Sequence, residues 1–153
     1  MEWKTLQKES FSVIGRLGST KDGDGFIQHL WQEANSRFDE AAPLAKRDSE
    51  GNFSGFWGLM SDEGMNFRPW EDNFSRGLYL AGVEVEDTAQ APEGWVKWTS
   101  PAYEYLVAEA GPQAFSETLE YMKEQGIELA GAVYDFTDPG TGENYQYFPI
   151  RRL

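Results

Sequence analysis

The sequence has no cysteine, only one histidine, and no apolar run long enough to cross a bilayer. Without thiols, disulfides, thiolate metal sites and a cysteine nucleophile are excluded. The single histidine, His29, leaves any metal site to carboxylates, and Asp22-Gly-Asp24-Gly lacks the further ligands of a calcium loop. We therefore expect no metal, no cofactor and no membrane contact, and we expect a cytoplasmic protein.

Basic residues are also scarce, and no phosphate-binding or nucleophile-elbow motif is present. Twenty-six acidic residues against thirteen basic ones give a formal net charge of −13. Such a charge repels nucleic acid and attracts cations. Because no helix-turn-helix pattern is evident either, any role in transcription regulation would require another chain.

Aromatic residues are abundant in this chain. Six Trp, seven Tyr and ten Phe occur in a sequence whose mean hydropathy is −0.60. An aromatic load of this size in a hydrophilic chain indicates a binding pocket as well as a core.

The order of elements suggests an internal repeat within one domain that covers residues 1–153, with halves of about 8–88 and 94–153. Each half is predicted to contain a strand, a helix and two strands. The stretch from Phe56 to Asp62 corresponds to that from Val133 to Asp138, and the stretch from Leu78 to Val83 corresponds to that from Gln146 to Ile150. Two such halves joined edge to edge would form one sheet that carries two helices, with a groove between the helices.

Several short motifs, spread from about Phe11 to Arg152, resemble the GyrI-like, or bacterial effector-binding, domains. The matching features are Phe56-Trp-Gly-Leu-Met-Ser, Tyr79-Leu-Ala-Gly-Val, Pro92-Glu-Gly-Trp95, Pro101-Ala102 followed by Tyr105, Gly126, and Tyr147-Phe-Pro-Ile. The resemblance implies an α+β fold with duplicated halves, one antiparallel sheet, two main helices on one face and a central pocket between them.

In this family the pocket is lined by aromatic side chains, contains a carboxylate and accepts lipophilic cations. The resemblance, together with the strand positions, predicts the ligand-binding residues Trp57, Trp98, Tyr105, Glu109, Tyr134, Asp135 and Phe148. The irregular stretch from Met65 to Arg76 is predicted to be an aromatic loop, in which Phe67, Trp70 and Phe74 form a lid over the pocket. Taken singly, each strand aromatic is more typical of a packed core than of a pocket.

The identity of the pocket acid stays open at this level. Asp135 matches the position where the family commonly has a glutamate, but Tyr134 and Asp135 cannot face the same side of a regular strand. Glu109 is the alternative, because it shares a strand face with Tyr105. Glu84 and Glu86 alternate with valines, which predicts that both lie on the solvent face of a strand.

The first functional hypothesis is a binding domain for lipophilic, cationic organic molecules. The alternative is a hydrolase that opens strained electrophilic rings, with Asp135 or Glu109 as the catalytic acid or base. A third possibility is protein interaction, in which the loop from Phe67 to Phe74 contacts a second copy or a regulatory partner.

Overall fold

The computed structural model of the chain describes residues 2–153, so that of the predicted domain only Met1 lies outside the described residues. Two 3-10 turns, at Thr20–Asp22 and Ala42–Leu44, accompany the regular elements. In chain order, the elements are β1 (Trp3–Lys8), β2 (Phe11–Ser19), α1 (Phe26–Ser36), α2 (Phe38–Ala41), β3 (Phe56–Ser61), α3 (Glu71–Phe74), β4 (Leu78–Val85), β5 (Val96–Ser100), β6 (Tyr103–Glu109), α4 (Ala114–Glu124), β7 (Tyr134–Thr137) and β8 (Asn144–Arg152).

All eight strands of residues 2–153 form one antiparallel sheet in the order β1-β6-β8-β7-β3-β4-β2-β5. Helix α1 packs Leu30 against Tyr79 and Ala81 of β4. Helix α4 packs Phe115 against Phe148 of β8 on the same face of the sheet. The predicted α+β class, with one antiparallel sheet and two main helices on one face, is confirmed.

The two halves have the same order of elements, β2-α1-β3-β4 and β6-α4-β7-β8. The strand order β6-β8-β7 in one half continues as β3-β4-β2 in the other, so a pseudo-two-fold axis passes between β7 and β3. Strand β1 precedes the first half but pairs with β6, and β5 precedes the second half but pairs with β2. The outermost strands are therefore exchanged between the halves.

The strand registers correct one part of the predicted repeat. The alignment of Phe56–Asp62 with Val133–Asp138 equates Trp57 with Tyr134, and these two residues pack in the same cluster. The partner of Trp57 on β4 is Gly82, whereas the partner of Tyr134 on β8 is Tyr147. Tyr79 packs with Leu30 of α1, whereas Tyr147 packs with Trp57 on the other face of the sheet. The alignment of Leu78–Val83 with Gln146–Ile150, which equated Tyr79 with Tyr147, was therefore wrong.

Helix ends follow the local sequence. The residue at the start of α1, Gly25, has φ of 78°, and the helix then buries Leu30 and Ala34. At the end of α4, Gly126 has φ of 70°, and the N–H of Ile127 returns to the carbonyl of Met122. This is the left-handed termination that glycine favours. Within residues 2–153 no helix has the length and apolar character needed to cross a membrane.

The face of the sheet opposite the two helices carries a second set of buried rings, which we call the aromatic core. Its members are Phe11, Trp57, Trp98, Tyr103, Tyr105, Tyr134 and Tyr147. The sheet curls around them: the hydroxyls of Ser100 on β5 and Tyr134 on β7 are 2.8 Å apart, although three strands lie between β5 and β7.

Candidate functional site

Asp135 lies at the centre of the sheet, on the face that carries the helices. It pairs with Gly58 across the junction of β7 and β3. The Tyr79 hydroxyl donates to Asp135 Oδ2 at 2.7 Å, and Gln146 Nε2 donates to Oδ1 at 3.4 Å. Trp31 Nε1, from α1, donates to the Tyr79 hydroxyl at 3.2 Å. Trp31, Tyr79 and Asp135 therefore form a chain of hydrogen bonds that runs from α1 to the carboxylate.

Gly58 makes room for this arrangement. A Cβ atom at this position would lie 1.8 Å from the Tyr79 hydroxyl oxygen and 2.3 Å from its ring carbon Cζ. Any side chain at residue 58 would therefore displace the phenol from the carboxylate. Because β7 is regular at Asp135, Tyr134 points to the opposite face and enters the aromatic core.

Burial controls the protonation of this pair. It raises the pKa of the Asp135 carboxyl above its ordinary value, although the hydrogen bonds from Tyr79 and Gln146 act in the opposite direction. Burial also raises the pKa of the Tyr79 hydroxyl well above its ordinary value, and the nearby Asp135 charge adds to this. The Tyr79 hydroxyl therefore keeps its proton at neutral pH and donates a hydrogen bond. Of the two groups, the Asp135 carboxyl is the one whose protonation changes with pH.

A cavity of about 300 Å³ opens above Asp135, between α1 and the centre of the sheet. Aromatic rings form much of its wall. The lining residues are Ile27, Trp31, Phe56, Gly58, Tyr79, Ala110, Asp135, Phe136, Thr137, Asn144 and Tyr145. We call it the Asp135 cavity. It contains one carboxylate, several ring surfaces and an opening to solvent.

A second, more apolar cavity of about 190 Å³ lies beside it, towards α4. Gln146 lines this cavity and also donates to Asp135, so its amide separates the two spaces. Three rings cover the second cavity: Trp70 and Phe74 from the loop before β4, and Phe115 from α4. The rings of Phe74 and Phe115 meet edge to face with centroids 5.1 Å apart.

The loop that carries these rings includes the short element α3, which is not a regular α-helix, and its backbone is unusual. Five of its non-glycine residues have positive φ, namely Met65, Phe67, Asp72, Asn73 and Phe74. L-residues adopt this conformation at a cost of about 1–2 kcal/mol each. Trp70 Nε1 donates to the Leu78 carbonyl at 2.9 Å, and Phe67 turns instead towards Trp98 in the aromatic core. Of the three predicted lid residues, only Trp70 and Phe74 lie over the groove between the helices.

The other predicted site residues are divided between the two faces. Trp57, Trp98, Tyr105 and Tyr134 all belong to the aromatic core, away from Asp135. The Tyr105 hydroxyl is buried and has no hydrogen-bond partner among residues 2–153. Burial raises its pKa well above the ordinary value.

Phe148 and Glu109 lie elsewhere. Phe148 is buried beneath α4 on the helix-bearing face, where its ring packs against Phe115. Glu109 is exposed at the end of β6, next to Ala110, which lines the Asp135 cavity. Asp135 is thus the carboxylate inside this cavity, and Glu109 lies near its edge.

The expectation that Glu84 faces solvent was wrong, whereas Glu86 is exposed as predicted. Only 3% of Glu84 is exposed, because it points into the aromatic core. There it accepts a hydrogen bond from Trp57 Nε1 at 3.0 Å. The alternation with valine was real, but the curled sheet buries both of its faces at this point.

Sequence reasoning missed Trp31, Tyr79 and Gln146 as neighbours of Asp135. Trp31 and Gln146 were not among the predicted site residues, and Tyr79 was noted only as part of a motif. The signal that connects them is three-dimensional, since Trp31 and Tyr79 are 48 residues apart and Tyr79 and Asp135 are 56 apart. Among residues 2–153 no three His, Asp or Glu side chains converge as a metal site.

No family model and no curated protein sequence matches the chain. Solved structures do match over almost its full length. The structure of SAV2435 bound to tetraphenylphosphonium is 19% identical, covers 99% of this chain and 94% of that chain, and gives a TM-score of 0.63. The EcmrR C-terminal domain is 9% identical, with coverages of 99% and 98% and a TM-score of 0.64.

A third match is an integron cassette protein from the mobile metagenome of Vibrio cholerae, which is 19% identical with coverages of 98% and 95% and a TM-score of 0.57. At these identities the comparisons establish the fold. The chain adopts the GyrI-like fold that its sequence resemblance predicts.

Proposed function

We propose that the chain binds small, lipophilic organic cations in the Asp135 cavity, with Asp135 as the counter-ion. The observation that carries this proposal is a carboxylate in an aromatic cavity that has no cationic partner. No Lys, Arg or His nitrogen in residues 2–153 lies within ion-pair distance of Asp135. A buried charge without a partner is costly, and a cationic ligand removes that cost.

The chemistry of the cavity wall supports the same ligand class. Rings of Trp31, Phe56 and Tyr145 line it, and aromatic faces attract cations by about 0.5–2 kcal/mol each. The net charge of −13 draws cations towards the protein. The match to a structure that contains tetraphenylphosphonium is consistent with this class.

We further propose that the loop carrying Trp70 and Phe74 is a lid over the apolar cavity. A ligand larger than the Asp135 cavity would place its cationic centre at Asp135 and an apolar group past Gln146, under these rings. We place this function in the cytoplasm, in keeping with the absence of cysteine.

The test is a titration of tetraphenylphosphonium, followed by tryptophan fluorescence and calorimetry, against its neutral isostere tetraphenylmethane derivatised for solubility. Wild type should prefer the cation. Asp135→Asn keeps the shape of the side chain and should weaken cation binding by roughly tenfold to a hundredfold, or about 1.4–2.8 kcal/mol. Binding of the neutral compound should change little.

Glu109→Gln is the matched control, because it removes an exposed carboxylate next to the same cavity. It should leave cation affinity within about twofold, since exposed charges are well screened. A loss of cation affinity in Glu109→Gln and not in Asp135→Asn would assign the counter-ion to Glu109 and contradict the proposal.

Hydrolysis of strained electrophilic rings is the second candidate, and the burial of Asp135 favours it. A carboxylate whose pKa is raised is a better general base, and Tyr79 orients it through a short hydrogen bond. In this reaction Asp135 accepts a proton from water, the water oxygen bonds to the ring carbon, the strained bond breaks, and its electron pair takes up the proton.

Turnover distinguishes the two functions. Epoxide and aziridine probes are incubated with wild type and with Asp135→Asn, and the ring-opened product is measured by mass spectrometry. Product formation above the uncatalysed rate in wild type alone supports hydrolysis. Equal rates in both proteins and in buffer leave binding as the function.

A further inference from the structure

A second buried carboxylate lies on the opposite face of the sheet from Asp135. Glu84 Oε1 accepts from Trp57 Nε1 at 3.0 Å, and Glu84 Oε2 lies 3.2 Å from Lys8 Nζ. Unlike Asp135, Glu84 therefore has a cation beside it, and that cation belongs to the chain itself.

Aromatic rings complete the surroundings of this ammonium group. Lys8 Nζ lies 4.5 Å from the centroid of the Phe11 ring and 5.6 Å from that of Trp57. Both distances lie within the range of a cation–π contact. One carboxylate and two ring faces around an ammonium are the groups expected of a binding site for an organic ammonium ion.

Lys8 reaches this position from the edge of the sheet. Its backbone pairs with Tyr103 at the end of β1, just before the exposed residues Glu9 and Ser10. Its side chain is 27% exposed, whereas that of Glu84 is 5% exposed. Because a lysine ammonium sits on a flexible four-carbon stem, it can move into solvent while the backbone stays in place.

We propose that Glu84, Trp57 and Phe11 form a second organic-cation site, which the Lys8 ammonium occupies and which a primary alkylammonium ion enters when that ammonium is absent. The lysine acts as a tethered ligand. A tether gives its ammonium an effective concentration in the millimolar range or above, so a free ammonium ion competes poorly in wild type.

The test removes the tethered ligand. Lys8→Ala deletes three methylene groups and the ammonium. The n-propylammonium ion has the same number of carbon and nitrogen atoms as the deleted group and can therefore replace it. Thermal unfolding and tryptophan fluorescence of this variant are measured against n-propylammonium chloride, with 1-propanol and sodium chloride as matched controls. The variant should bind n-propylammonium at least roughly tenfold more tightly than wild type does, and propanol should have no comparable effect. Equal affinity in the two proteins, or an equal response to propanol, would overturn the proposal.

Three further variants assign the response. Lys8→Met keeps the volume of the stem without its charge and should block the gain. Adding Glu84→Gln to Lys8→Ala should abolish it, because the carboxylate is lost. Adding Asp135→Asn should leave it intact, which separates this site from the Asp135 cavity. Retention of the gain in the Glu84 double variant would also overturn the proposal.

A measurement on wild type keeps the test independent of variant stability. Lysines are reductively methylated with ¹³C-formaldehyde, which preserves their charge, and the Lys8 signal is identified by its absence in Lys8→Arg. Ring currents of Phe11 and Trp57 should move this signal upfield of the other lysine signals. A Lys8 signal at the position of an exposed lysine would contradict occupancy of the site.

Discussion

Gly58 and Asp135 pair directly across the junction of the two halves, where β3 meets β7. One position carries the only carboxylate of the Asp135 cavity among the described residues, and the other carries no side chain. The phenol of Tyr79 fills the space that a side chain at residue 58 would need. The Asp135 cavity is therefore asymmetric although the same order of elements occurs in both halves.

This relationship predicts that Gly58→Ala disrupts the site. The new methyl group would lie 1.8 Å from the Tyr79 hydroxyl oxygen, so the ring must move. Overpacking of this kind costs about 1–3 kcal/mol of unfolding free energy, measured by denaturant titration. Gly111→Ala, where nothing lies within 4 Å of the added atom, is the control and should cost far less. Equal effects of the two substitutions would contradict the role given to Gly58.

Asp135→Asn should increase stability at neutral pH. Burial raises the pKa of Asp135 in the folded state, so the folded protein favours the neutral carboxyl. The protonated carboxyl of Asp135 therefore stabilises the folded state. This stabilisation is complete below the pKa of an unfolded aspartate, about 3.9, and is lost as pH rises through the pKa of the folded state. The advantage of the asparagine variant should therefore be largest at neutral pH and shrink as pH falls towards 4. An advantage that is independent of pH would show that Asp135 is not the titrating group.

Much of the fold could be predicted from local patterns. The strand that carries Tyr105 and Glu109 and one main helix in each half were predicted, because a regular element with one buried face leaves a periodic pattern in the sequence. The edge strand β1 was not predicted, since four of its six residues are exposed and show no alternation. Its membership in the sheet depends on pairing with β6, about a hundred residues later in the chain.

The site could be predicted only in part, for the same physical reason. Asp135 was found through a motif, but its neighbours Trp31 and Tyr79 come from elements that the tertiary fold brings together. The environment of Glu84 was misjudged because alternation in β4 indicates two different faces and does not reveal that curvature buries both. The local sequence indicates which residues share a face of a strand. Whether that face is buried or exposed to solvent depends on contacts with elements that are distant in the sequence.

Phe74→Ala should change ligand exchange more than it changes affinity at Asp135. The ring covers the apolar cavity and contacts Phe115, so its removal should open the lid that we propose. We expect faster association and faster dissociation of tetraphenylphosphonium in stopped-flow fluorescence. Tyr121→Ala, which removes a ring that stacks on Trp3 away from both cavities, is the control. Unchanged rates in Phe74→Ala would show that the loop is only a structural cover.

Met65→Gly should stabilise the protein. Met65 has φ of 60° and is 38% exposed, so glycine relieves the backbone while little packing is lost. The expected gain is about 1 kcal/mol, offset in part by the greater freedom of glycine in the unfolded chain. Met65→Ala keeps the Cβ atom and loses the same packing, and therefore should give no gain in chemical denaturation. Equal effects of glycine and alanine would indicate that the conformation is unstrained.

Cation binding should weaken as pH falls, and Tyr79→Phe should move this loss to higher pH. An ionised Asp135 is required to pair with the ligand, and the hydrogen bond from Tyr79 holds its pKa below the value that burial alone would give. Without the hydroxyl, the pKa of Asp135 rises further, so the carboxyl is neutral over a wider range of pH.

The same change leaves Trp31 Nε1 without its acceptor and should cost about 1–2 kcal/mol of unfolding free energy. Titrations of tetraphenylphosphonium between pH 4 and pH 8 measure the midpoint of the loss in both proteins, and a neutral analogue should show no midpoint. If the midpoint stayed in place or moved to lower pH in Tyr79→Phe, the hydrogen bond would not be what keeps Asp135 ionised.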